Sequence, residues 1–166
     1  LGYLIYYGLK QSSIFLPEFL IAADSPVLGQ KETDDFMSTE EKSKFAKALK
    51  TVMAQKQLYL NEDLTLSQLA TEIGLSDKKL SALLNHYLNT SFYDFINHYR
   101  IQEVKQKILD SKYEKYSLIG IAHLSGFKSK SSFYRSFKKS TNMLPTKYRN
   151  QLKKGIAASS ETGDPE

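Results

Sequence analysis

The stretch GFKSKSSFYRSFKKS, residues 126–140, holds the side chains in this sequence best suited to chemistry. Phe133 and Phe137 stand four apart, a spacing that puts both on one face of a helix. With those rings turned inward, Lys130, Ser131, Arg135 and Lys138 must face water. Such a face offers a forked guanidinium for guanine or phosphate, ammonium groups for phosphate, and hydroxyls for either. An ordinary amphipathic surface helix shows the same pattern, so the surrounding elements have to decide.

Catalytic chemistry finds little support. The sequence contains no glycine-rich phosphate loop, no H-E-x-x-H and no G-x-S-x-G. His86, His98 and His123 lack the spacing of a metal cluster on one helix and read as surface or packing histidines, His86 having a phosphate contact open to it. The absence of cysteine excludes a disulfide scaffold and thiolate metal sites, and it fits a reducing compartment. No cofactor, no metal and no enzymatic activity are expected.

At 166 residues and 41% hydrophobic, the chain can bury one core, or two small ones. Its net charge of +5 is unevenly spread, because residues 111–154 alone carry 11 basic and 1 acidic side chains. That concentration points to a polyanion: nucleic acid, an acidic protein or an anionic membrane surface.

An internal repeat organises the chain. A shift of 52 places Thr65 on Ser117, Leu69 on Ile121, Ala70 on Ala122, Gly74 on Gly126 and Leu75 on Phe127. After one inserted residue, a shift of 53 places Leu80 on Phe133, Leu84 on Phe137, Asn89 on Asn142 and Phe95 on Tyr148. Each copy reads as a hydroxyl N-cap, a short helix with a small alanine where a second helix approaches, a glycine turn, and a second helix with apolar residues at i and i+4. Two helices joined in this way make a helix-turn-helix. Between the copies, Ser91 to Leu109 reads as one long helix capped by Ser91 and Asp94, with Phe92, Phe95, Ile96, Tyr99, Val104 and Ile108 as its apolar stripe. Such a rod spans about 28 Å, against roughly 34 Å between major-groove faces one turn apart. Arg100, midway along it, is expected either to pair with a nearby carboxylate or to reach DNA.

These residues resemble the AraC/XylS family of transcriptional regulators. LTLSQLATEIGLSDKKLSALLN and SFYDFINHYRIQEVKQKIL are similar to its first helix-turn-helix and linker helix. YSLIGIAHLSGFKSKSSFYRSFKKSTNMLPTKYRN is similar to its second, including the run from Gly126 to Lys139 and the later P-x-x-YR. The resemblance covers about residues 58–150. It implies an all-α fold of two helix-turn-helix subdomains joined by a long linker helix, homeodomain-like, here with an extra N-terminal helix. It also implies sequence-specific binding of double-stranded promoter DNA through two recognition helices in successive major grooves, with contact to RNA polymerase. The DNA-facing residues carried over by motif position are Lys78, Ser81 and Asn85, with Asp77 and Ala82 beside them, in the first copy. In the second they are Lys128, Lys130, Ser131, Ser132, Arg135, Ser136 and Lys138. Where the family usually has glycine after each recognition helix, this chain has Asn89 and Asn142, the next-best residue for a left-handed cap.

The expected segments are an apolar juxtamembrane or truncated transmembrane end (1–23), a linker (24–37), a connecting helix opened by a Ser38/Glu41 capping box (38–60), the first helix-turn-helix (61–90), the linker helix (91–110), the second helix-turn-helix (111–154) and a disordered tail (155–166). LGYLIYYGL is too short to span a bilayer, which takes about 20 residues, so it either packs on the domain or ends a longer membrane helix. The expected place of the module is the cytoplasm, with an upstream membrane or sensor domain and a homodimer as further partners. The rival reading is a helical adaptor that binds acidic protein or anionic membrane through residues 111–154.

Overall fold

A computed structural model describes residues 37–160, with side chains to Lys153. Residues 1–23 and most of the 24–37 linker therefore lie outside the described residues, as does the end of the 155–166 tail. Among the described residues there are seven α-helices and no strand, the all-α class expected. None of these helices is long and apolar enough to cross a membrane.

Helix α1 (Thr39–Lys56) starts where its capping box closes: the Ser38 N–H donates to Glu41 Oε2 at 2.8 Å and the Glu41 N–H donates to Ser38 Oγ at 3.2 Å. It stops at Gln57, whose left-handed backbone (φ 47°) feeds a 3₁₀ turn over Leu58–Leu60. Helix α2 (Leu66–Glu72) opens with the Thr65/Gln68 box. Helix α3 (Asp77–Ala82) follows from N-cap Ser76 and runs into a π-helical turn at Leu83–Tyr87. Helix α4 (Phe92–Leu109) is the long connecting helix, with Ser91 Oγ accepting from the Asp94 N–H at 3.1 Å. Helices α5 (Leu118–Leu124), α6 (Lys130–Thr141) and α7 (Pro145–Ser160) complete the chain. The last of these takes in residues 155–160, which composition alone assigned to the tail: extending a formed helix avoids the cost of nucleation, and Ala157 and Ala158 favour it.

The chain divides after Tyr99 into two units, each with its own core. In the first, α1 contributes Ala46, Leu49 and Met53 to a cluster with Leu69, Ala70, Leu80, Leu84 and Phe95. Tyr59 is buried there and stacks on Tyr99, ring centroids 5.7 Å apart. The extra N-terminal helix is thus part of the core of the first helix-turn-helix. In the second unit, Ile101, Val104, Ile121, Ala122, Phe127, Phe133 and Phe137 form the core. Ile101 falls outside the single stripe expected on α4, because this helix serves two cores and its apolar positions need not lie on one line. Arg100 is buried, with its guanidinium 5.8 Å from the centre of the Phe127 ring.

Candidate nucleic-acid interface

The repeat read in the sequence reappears in the caps and turns of the two copies. Thr65 and Ser117 each cap a helix, accepting from the Gln68 N–H at 3.2 Å and from the Gly120 N–H at 3.0 Å. At the turn, Gly74 and Gly126 have φ of +72° and +89°, a backbone that only glycine adopts freely. The Leu75 N–H donates to the Ala70 carbonyl at 2.9 Å, and its counterpart Phe127 donates to Ala122 at 3.0 Å. Gly74 and Gly126 donate to Thr71 and His123 at 3.2 and 3.0 Å. This closure satisfies helix-end carbonyls and redirects the chain within a few residues. Ser76 and Ser129 then cap the second helix of each copy, and Asn89 and Asn142, with φ of +49° and +56°, end it in the left-handed region as expected.

In the second copy, Phe133 and Phe137 are fully buried and meet edge to face at 5.7 Å, with Phe127 and Tyr148 on either side. Their anchoring turns Lys130, Ser131, Arg135 and Lys138 to solvent, and Lys128 is exposed just before the cap. Ser132 and Ser136 are half-buried on the flank of the helix, and the Ser132 N–H is used by the Ser129 cap. The Lys130 ammonium lies 5.7 Å from the centre of the Tyr134 ring. Lys138 and Lys139 sit in the last turn, where the helix dipole favours cations.

In the first copy, Leu80, Leu83, Leu84 and Leu88 are buried, and Asp77, Lys78, Asn85 and His86 are exposed. Ser81 and Ala82 are half-buried. The Asn85 side-chain amide donates to Ser81 Oγ at 3.2 Å. The π turn has no counterpart in the second copy, whose α6 stays α-helical through Thr141.

One residue acquires a role that its type does not reveal. Arg149, noted in the sequence only as the end of P-x-x-YR, donates to the carbonyls of Tyr116 at 2.8 Å and Glu114 at 2.6 Å. It ties α7 to the turn before α5. Backbone acceptors carry no side-chain signal, so residue types could not have exposed this clamp.

Two capped helices on paired turns, each with a buried seam and a polar outer face, define a helix-turn-helix module of the DNA-binding kind. A helix-turn-helix domain family matches residues 69–151. An uncharacterized HTH-type transcriptional regulator of Staphylococcus aureus (strain COL) is 38% identical over 93 residues, which make up 56% of this chain and 12% of that protein. The regulatory protein PocR of Salmonella typhimurium is 27% identical over 134 residues, 81% of this chain and 42% of that protein. A solved structure of a protein of unknown function from Listeria innocua is similar with a TM-score of 0.51 and 27% identity, covering 63% of this chain and 92% of that one. The chain belongs to the AraC-type helix-turn-helix family of transcription regulators. It spans less than half the length of these two named relatives.

Proposed function

We propose that this chain is the sequence-specific, double-stranded DNA-binding module of a transcription regulator, and that its two recognition helices enter successive major grooves of a promoter. The observation that carries this reading is the pair of turns with matching hydrogen bonds, each presenting a capped helix whose apolar side chains are buried and whose other face is wet. Lys78, Asn85, Ser131 and Arg135 are assigned to base edges. Lys128, Lys130 and Lys138 are assigned to phosphates, and Ser81, Ser132 and Ser136 to the flanks of the contact. The much greater length of the relatives supports a place within a larger regulator.

Titration of duplex DNA at several salt concentrations tests the reading. A module that contacts about six phosphates loses affinity roughly 1,000-fold between 50 and 200 mM salt. Lys138→Ala weakens binding to all sequences alike and lowers the salt slope by about one. Arg135→Ala costs about 1–3 kcal/mol and relaxes specificity at one base pair. Tighter binding to an anionic vesicle or an acidic protein than to any duplex would favour the adaptor reading instead.

A further inference from the structure

We propose that the first recognition helix reads an A·T pair through the amide of Asn85, and that Ser81 is the positioning residue that sets this amide for adenine. The proposal rests on the DNA-reading function above and names the base chemistry of one half of the site.

A carboxamide has one carbonyl acceptor and two N–H donors that point in different directions. The bidentate pair with adenine uses the carbonyl to accept from N6–H and one N–H to donate to N7. Asn85 is exposed on its helix, and its amide nitrogen donates to Ser81 Oγ, one turn back, at 3.2 Å. Ser81 thus engages one N–H and leaves the carbonyl and the second N–H, the complement of the adenine edge. The neighbouring Ala82 has no polar group on its side chain and suits the thymine methyl. In the second copy the shift of 53 puts Arg135 where the first has Ala82, and Lys138 where it has Asn85. The guanidinium suits guanine, so the two helices differ in the base pair they favour: A·T for the first, G·C for the second.

The test begins with selection of bound duplexes from a random pool by the 166-residue chain. Adenine is expected at one position of one half-site. Replacing it with 7-deazaadenine, which lacks the N7 acceptor, should weaken wild-type binding about tenfold and leave Asn85→Ala unaffected. Asn85→Ala should lose roughly 5- to 150-fold of discrimination at that base pair, with the salt slope unchanged. Ser81→Ala should narrow the adenine preference, and Ser81→Thr, which keeps the hydroxyl, should retain it. Selection of guanine would mean that both N–H groups face the DNA, and would overturn the proposal. So would a wild type indifferent to 7-deazaadenine, or an Asn85→Ala variant that still prefers adenine. A wild type that selects the Arg135-dependent guanine but shows no adenine preference sinks this proposal only. Equal binding of selected and random duplexes sinks the DNA-reading function with it.

Discussion

Arg135 and Phe137 stand two residues apart on one helix and do opposite work. Phe137 is fully buried between Phe133 and Tyr148, so Phe137→Ala leaves a cavity that costs about 3–5 kcal/mol and lowers the melting temperature of the second unit. Arg135 is exposed, and its replacement by alanine leaves stability within about 0.5 kcal/mol while it impairs DNA binding. Melting curves and duplex titrations on the two variants separate these effects. The division was legible in the sequence because aromatic and cationic side chains at helical spacing sort themselves between core and water. The Arg149 clamp and the Ser81–Asn85 bond were not legible: one uses carbonyls that every residue has, and the other depends on rotamers that a spacing leaves open.

At the scale of the elements, the glycine turn is the part most exposed to a test. An added Cβ at Gly74 meets no atom within 4 Å, so Gly74→Ala meets no clash and its cost is the left-handed backbone alone, about 1–2 kcal/mol. Urea unfolding measures it. A loss well above that range would mean that space at the turn, and not φ, demands glycine. Caps, turns and the asparagine stops were readable because each needs a particular residue type: a hydroxyl at Thr65 and Ser117, φ freedom at Gly74 and Gly126, a tolerated positive φ at Asn89 and Asn142. The π turn at Leu83–Tyr87 was not, since the choice between hydrogen-bond registers follows from burying Leu83, Leu84 and Leu88 together and not from any one of them. The end of α7 was missed for a related reason: a helix already under way tolerates a sequence that would not start one.

Across the whole molecule, two cores carry the stability, and each unit includes a tyrosine that resists ionisation. Burial raises the pKa of Tyr99 in the first unit and, less deeply, of Tyr148 in the second, above the ordinary value of 10.0. A folded-state pKa above the unfolded one means that stability is intact below pH 10 and declines as pH rises beyond it, because only the unfolded chain releases the proton readily. Alkaline unfolding followed by circular dichroism should show this decline in both units, and Tyr99→Phe should flatten it in the first. The all-α class, the duplication and the basic 111–154 stretch could all be read from the sequence, because periodicity and charge are properties of long segments. That α1 completes the first core was not among them: its amphipathic pattern announces a buried face without saying what covers it.

The hydroxyl stop at one end of each reading segment and the left-handed asparagine at the other have an engineering consequence. From Ser76 to Asn89 and from Ser129 to Asn142 the chain begins and ends on its own terms, in runs of equal length. Each run is therefore a cassette that can be transplanted with both seams preserved. A regulator could be retargeted by exchanging one such insert, provided that the lining of leucines or phenylalanines beneath it is refitted to the new host.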